Sequence, residues 1–272
     1  MAARAFVTAL TAMLLAAITD IHGNLPALEA IIDDFTRAGA DLVVDLGDIV
    51  SGPLWPAETA DRLIALGWPT LAGNHERQVL MPRERQGASD RHAALRLTER
   101  HRAWLGGLPK TSWLFPDLYC CHGTPDSDVG YFLETVHDDF GRDGSLGVHA
   151  ATHDEVRARR SGIDAALILC GHTHQPRVVQ LDARHLVVNP GSAGLQAYDD
   201  DHPHHHRVEA GSPHARYALV ERTQHGWRAT LRAVAYDWHA AARQAEANGR
   251  GDWADAISTG RVGRLERDVV GA

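Results

Sequence analysis

Cysteine is scarce in this chain: three residues, Cys120, Cys121 and Cys170, among 272. All three sit in apolar, strand-like runs, so they read as small core residues and argue against a disulfide framework. A reducing, cytoplasmic setting is what this usage predicts. Long hydrophobic runs are also missing. No stretch reaches the roughly 18 apolar residues that a membrane span needs, which argues against a membrane-embedded role. Runs of basic charge are equally absent, and the formal net charge is −8. A surface that wraps a nucleic-acid polymer is therefore not expected. A small phosphate ester stays open as a substrate, because bound metal supplies local positive charge whatever the total. No internal repeat, long linker or composition break divides the chain.

What is present is ordinary globular material, 44% hydrophobic and 23% charged, long enough for one well-buried α/β domain. Met1 to Ala17 carries an early Arg4, an apolar middle and small residues, the make-up of a secretory leader. The apolar run nevertheless continues unbroken into Ile18-Thr19-Asp20, and cleavage after Ala17 would remove the first strand. Residues 1–12 thus read as an N-terminal extension with Met13 as an alternative natural start, and 13–272 as a single domain.

Met13 to Ile18 has no helical stripe and reads as a strand. Leu25, Leu28, Ile31, Ile32 and Phe35 follow at helical spacing, opened by Asn24 and Pro26 and stopped by Gly39. Asp41 to Leu46 is a second strand, Pro56 to Leu66 a second helix, and Pro69 to Ala72 a short third strand. This alternation predicts a mainly parallel sheet. An arginine-rich helical insertion is expected over about 77–108, then a strand at Leu118 to Cys121, and loop with some helix from Asp126 to His149. Thr152-His153-Asp154-Glu155 fits a capping box. Ala166 to Leu169 is a buried strand and Arg184 to Val188 another, followed by the turn Asn189 to Ser192. Asp199 to His214, rich in Asp, His and Pro, is expected as an exposed loop. Two antiparallel strands, Arg216 to Val220 and Trp227 to Val234, and two short helices, Asp237 to Asn248 and Asp252 to Ser258, complete the chain.

Ligands of open α/β sheets gather beyond the carboxyl ends of the strands. Here those ends carry Asp20 and His22, Asp48, Asn74 and His75, His122, and His172 and His174. Carboxylate, amide oxygen and imidazole together suit two borderline divalent ions, with Asp48 as a carboxylate able to share its oxygens between them. Two such ions clamp a phosphoryl group and activate water, which is phosphoester hydrolysis. Taken singly, the aspartates read as caps, Asn74 as a turn former and the histidines as partly buried polar residues; it is their recurrence at five strand ends that points to a site.

The ordered blocks Asp20-Ile21-His22, Gly47-Asp48, Gly73-Asn74-His75, His122-Gly123 and Gly171-His172-Thr173-His174 resemble the calcineurin-like metallophosphoesterase superfamily. The resemblance implies a four-layer α/β/β/α sandwich with mixed sheets and a helical insertion near the site. It implies that Asp20, His22, Asp48 and His174 hold one metal and that Asp48, Asn74, His122 and His172 hold a second, from Mn, Fe, Zn or Ni with manganese favoured. His75 matches the family's histidine that protonates the leaving oxygen. The implied nucleophile is a metal-bridging hydroxide, and the implied substrate a small, nucleotide-like phosphomonoester or phosphodiester.

Two alternatives accompany this reading. Gly73-Asn74-His75-Glu76 is also similar to the Ser/Thr protein phosphatases and diadenosine tetraphosphatases. Those place an arginine directly before this block and an Asp-Arg-Gly after the Gly-Asp block, whereas here Ala72 precedes it and Gly47-Asp48 runs into Ile49-Val50-Ser51-Gly52. The other is a protein-binding scaffold of the same fold, which would not need the complete ligand set. His202, His204, His205 and His206 read as a solvated loop rather than a third metal site, and Arg83, Arg85, Arg91 and Arg96 as a solvated helix face. Trp55, Trp104 and Trp113 read as core or lid packing. A homo-oligomer is compatible with the sequence.

Overall fold

Successive side chains of a strand point to opposite faces, and Leu15, Ala16, Ala17 and Ile18 are all fully buried. The strand they form, β1 (Leu14–Ile18), must therefore be covered on both sides. The computed structural model, which describes residues 13–270, shows how; the extension expected over 1–12 lies outside the described residues. β1 pairs in parallel with β2 (Leu42–Asp45) and antiparallel with β12 (Ala215–Thr223), which continues antiparallel into β13 (Gly226–Val234). The resulting mixed sheet has the order β13-β12-β1-β2.

A second mixed sheet has the order β3-β4-β7-β9-β8. It comprises β3 (Thr111–Phe115), β4 (Leu118–Cys121), β7 (Leu167–Leu169), β8 (Arg177–Gln180) and β9 (Leu186–Asn189), with β4, β7 and β9 mutually parallel. Leu15, Ala17, Val44, Ala218 and Val220 of the first sheet pack on Leu118, Cys120, Leu167, Leu169 and Val188 of the second. Ala16, Ile18, Val43 and Tyr217 face the other way, onto Leu28, Ile31 and Phe35 of α1 (Leu25–Ala38) and Leu63 of α2 (Pro56–Leu66). Tyr119, Cys121, Ile168 and Val187 likewise face Val156 of α6 (His153–Arg159). Period-two alternation in strands buried on both sides thus yields the four layers, each fully buried Leu or Ile contributing roughly 1.5–3 kcal/mol.

α1 begins where expected: the Asn24 side chain accepts from Ala27 N at 3.3 Å, and Gly39 ends the helix with φ 77°. The stretch after residue 73 forms three short helices, α3 (Asn74–Val79), α4 (Ala88–Ala94) and α5 (Glu99–Gly106). Its Arg83, Arg85, Arg91 and Arg96 are exposed. The C-terminal helices are α7 (Trp238–Ala247), α8 (Gly251–Thr259) and α9 (Glu266–Val270). Among the described residues no helix is long and apolar enough to cross a membrane.

Four expectations change. Pro69 to Ala72 makes only a single parallel bridge, Thr70 to Asp45, because Pro69 has no N–H for a ladder and Ala72 N turns away to Pro109 O. The stretch 126–149 contributes β5 (Glu134–Val136), which pairs with β6 (Val148–Ala150). The stretch expected as an exposed loop over 199–214 instead holds a hairpin, β10 (Ala197–Asp200) with β11 (His206–Glu209), in which His206 and Val208 are fully buried. Trp113 is no core residue: it lies 49% exposed on the edge strand β3, edge-on to Tyr119.

Candidate metal centre

The parallel strands β1, β2, β4 and β7 deliver their carboxyl ends to one place, two from each sheet. Asp20 and His22 follow β1, Asp48 follows β2, His122 follows β4, and His172 and His174 follow β7, while Asn74 and His75 open α3. All eight residues expected at the site are brought together. Their ligand atoms form two candidate groups: Asp20, His22 and His174 in one, Asp48, His122 and His172 in the other, each within 4.8 Å. Asn74 Oδ1 joins the second group, 3.2 Å from His122 Nε2.

The backbone bends sharply to achieve this. Asp20, His22, Asp48, His172 and His174 all adopt left-handed conformations, with φ between 52° and 68°, a region that costs a side-chain-bearing residue free energy. Gly73 passes so close that a Cβ there would lie 2.2 Å from Asp48 Oδ1 and 2.8 Å from His122 Cε1. This explains the glycine before Asn74.

Hydrogen bonds fix the rings. His22 Nδ1 points to Ser51 O at 2.8 Å, His122 Nδ1 to Leu46 O at 2.9 Å and His174 Nδ1 to Leu195 O at 2.7 Å. A carbonyl only accepts, so each Nδ1 carries hydrogen and each Nε2 turns inward. His22 Nε2 and His174 Nε2 then face each other at 3.1 Å, a separation that only a shared proton or a common cation makes favourable. Asp20 Oδ1, buried and without a hydrogen-bond partner, stands 3.4 Å from His174 Nε2. Two facing imidazole nitrogens beside an orphaned carboxylate oxygen call for positive charge between them, so the donor set fits a bound metal.

The electrostatics agree. Burial and the neighbouring His174 push His22 down to about 3, and burial with His122 pushes His172 down to about 4. Both rings are neutral at physiological pH, the form in which imidazole can bind a metal. Burial also opposes ionisation of Asp20 and Asp48, but His174 for the former and His122 for the latter outweigh it and hold both below the ordinary carboxylate range. His122 behaves differently: burial pushes it down, yet Asp48, whose Oδ2 lies 3.0 Å from Nε2, lifts it to about 10. A proton there occupies the place a metal would take.

Around this shell lie residues that patterning did not single out. Glu76, buried, accepts from Asp48 N, Ile49 N and Gly73 N, each at 2.8 Å, tying the two loops that carry Asp48 and Asn74. Asp90 on α4 accepts from His75 Nδ1 at 2.7 Å and Ser51 Oγ at 2.8 Å. Its signal in sequence was nil, since it stands fifteen residues from His75 in an otherwise ordinary helix. Ser192, expected in a structural turn, donates from Oγ to Asp20 O at 2.8 Å, and Asn189 Nδ2 donates to Gly171 O at 2.8 Å. That turn buttresses two ligand loops. A cavity of about 990 Å³ opens over His22, Asp48, Asn74, His75, His172 and His174, large enough for a small organic ligand.

Comparison with known proteins returns a consistent picture. A family model described as calcineurin-like phosphoesterase matches residues 13–176. An uncharacterized protein of Methanocaldococcus jannaschii is 37% identical over 67 residues, which is 25% of this chain and 28% of that relative; the match thus spans little more than a quarter of the curated relative's length. A metallophosphoesterase from Sphaerobacter thermophilus superposes with TM-score 0.69 at 22% identity, covering 91% of this chain and all of its own. A hypothetical protein from Pyrococcus horikoshii does so with TM-score 0.71 at 16% identity, covering 92% of this chain and all of its own. At such identities the two structures speak for the fold.

Proposed function

Because the chain belongs to the calcineurin-like phosphoesterase family, we propose that it hydrolyses a small phosphomonoester or phosphodiester at this centre. Asp20, His22, Asp48 and His174 would hold one divalent ion, and Asp48, Asn74, His122 and His172 a second. When bound, the ions supply positive charge to the phosphoryl oxygens and acidify water. The carrying observation is the set of three Nδ1–H bonds to backbone carbonyls, which turns the Nε2 atoms of His22, His122 and His174 inward before any ligand arrives. Nitrogen and oxygen donors of this kind suit Mn, Fe, Zn or Ni, and manganese is the first ion to supply.

His75 acts on the departing group. Burial pushes its imidazole down, but Asp48 and the hydrogen bond from Nδ1 to Asp90 raise it to about 9. It therefore holds a proton at neutral pH, with Nδ1 committed to Asp90 and Nε2 free to donate. As water's oxygen forms the new bond to phosphorus and the ester P–O bond breaks, the leaving oxygen takes the Nε2 proton and departs as an alcohol. Asp90 is a positioning residue in this scheme. Three free, buried cysteines support a cytoplasmic location.

The test is release of p-nitrophenol from p-nitrophenyl phosphate and bis-p-nitrophenyl phosphate by chelator-stripped protein, before and after Mn²⁺ is restored. Asp48→Asn is expected to lose metal and activity together. His75→Ala is expected to keep metal and lose about 10²–10⁴-fold in turnover, most severely on poor leaving groups. A folded protein that releases nothing with any divalent ion overturns the proposal, and metal loss in His75→Ala overturns the role given to that residue.

A further inference from the structure

One wall of the cavity is a hydrogen-bond chain whose direction is fixed atom by atom. His206, fully buried, points Nδ1 at the backbone carbonyl of His204, 2.8 Å away. Nδ1 therefore carries the hydrogen, which leaves Nε2 to accept from the wall. Tyr131 Oη lies 2.9 Å from that Nε2 and 2.7 Å from Tyr198 Oη. Its single proton goes to His206, so the bond between the two tyrosines must take its proton from Tyr198. Burial holds both phenols above the ordinary tyrosine range, and neither gives its proton up to solvent. With its one hydrogen spent inside the wall, Tyr198 has only oxygen lone pairs to offer the cavity that it lines.

The placement of this pair matters. The Tyr131 ring stands edge-on to His172 with centroids 5.3 Å apart, and the Tyr198 ring edge-on to His174 at 4.8 Å. The acceptors thus flank the candidate centre itself. Farther out the wall carries Asp199, Asp200 and Glu266, and burial raises the Asp199 carboxyl above its usual range. Among the described lining residues other than histidine, the one cationic side chain is Arg159. Its guanidinium is committed to the carbonyls of Phe132 and Glu134 and to Thr135 Oγ1. On this wall a second phosphate or a carboxylate on the ligand would meet acceptors and carboxylates, with no uncommitted guanidinium to receive it.

We infer that the non-phosphate part of the substrate carries hydrogen-bond donors, hydroxyl or ammonium groups, and no second anion, with Tyr198 and Asp199 as its specificity-determining residues. The inference rests on the phosphoester reading above, because the phosphate is what seats the ligand beside His172 and His174. The class is a single-phosphate ester of a polyol or amino alcohol, and nucleoside polyphosphates and bisphosphates fall outside it.

Equilibrium binding of three phosphonates to the manganese-loaded protein tests this independently of turnover: 2-aminoethylphosphonate, 2-hydroxyethylphosphonate and phosphonoacetate. The first two should bind at least about tenfold more tightly than the third, the span of one hydrogen bond to a charged partner. Tyr198→Phe should shrink that preference, and Asp199→Asn should shrink it for the amine alone. If Tyr198→Phe does not fold, Asp199→Asn carries the comparison. Phosphonoacetate binding as tightly as the others, no binding by any of the three, or an equal weakening of all three by Tyr198→Phe would each overturn the inference. Failure to hydrolyse p-nitrophenyl phosphate would instead sink the phosphoester reading, while the order of the three dissociation constants still judges this one.

Discussion

Replacing Glu76 by glutamine changes one atom and leaves the shape of the side chain intact. In the native protein Oε2 accepts from both Asp48 N and Gly73 N, and Oε1 from Ile49 N. An amide has one acceptor oxygen, so whichever way it turns, an NH₂ group faces at least one backbone N–H. In the less costly orientation Oε2's two bonds survive as neutral ones, and the bond to Ile49 N becomes an opposition of two donors. A hydrogen bond to a charged group contributes about 1.5–3 kcal/mol, and an unsatisfied buried donor costs about 1–3 kcal/mol. Weakening two bonds and losing the third should destabilise the protein by about 3 kcal/mol. Urea unfolding of the metal-free protein measures this directly. Because Glu76 ties the loop of Asp48 to the loop of Asn74, manganese affinity should fall as well, by about tenfold for each 1.4 kcal/mol of lost site geometry. A Glu76→Gln protein within about 0.5 kcal/mol of wild type and with unchanged manganese affinity would refute the idea that this carboxylate holds the two loops together.

Asp90→Asn removes a negative charge from His75, whose folded pKa is raised to about 9. A group that must be protonated to act works below its pKa and fails as pH rises through it, so the alkaline limb of kcat on an alkyl phosphate should move to lower pH by about one unit; a limb that stays put counts against the pairing. Metal loading should release protons, since His122, raised to about 10, still holds one near pH 8 and must lose it to a cation. Manganese affinity is then expected to rise with pH over that range, and calorimetry in buffers of different ionisation enthalpy would expose a pH-independent affinity that contradicts this.

The residues that meet at the candidate centre were legible because α/β topology sends chemistry to the carboxyl ends of parallel strands, and those ends are marked by glycine, Asp and His in short blocks. The strands buried on both faces, such as Leu14–Ile18 and Leu167–Leu169, announce themselves as apolar runs. The hairpin at 197–209 did not, because its Asp, His and Pro content is that of a loop; the buried His206 bonds to Tyr131, seventy-five residues away in sequence. Glu76 and Asp90 were illegible as supports for the same reason, since their roles lie in hydrogen bonds to loops and rings that only the folded chain brings near. Trp113 shows the converse, an aromatic residue that strand pairing places on an edge with one face open.

The left-handed backbone at Asp20, His22, Asp48, His172 and His174 has a consequence for how this lineage can change. At roughly 1 kcal/mol or more per residue, five such positions withhold on the order of 5 kcal/mol from a fold whose net stability is about 5–15 kcal/mol. Glycine at any of them would relieve the strain and abolish a donor. Selection for stability and selection for the centre therefore pull these five codons in opposite directions. A descendant released from its chemistry should drift towards glycine or asparagine at these sites first, growing more stable as it falls silent, so the residue type at a few left-handed positions would tell a working member from a retired one.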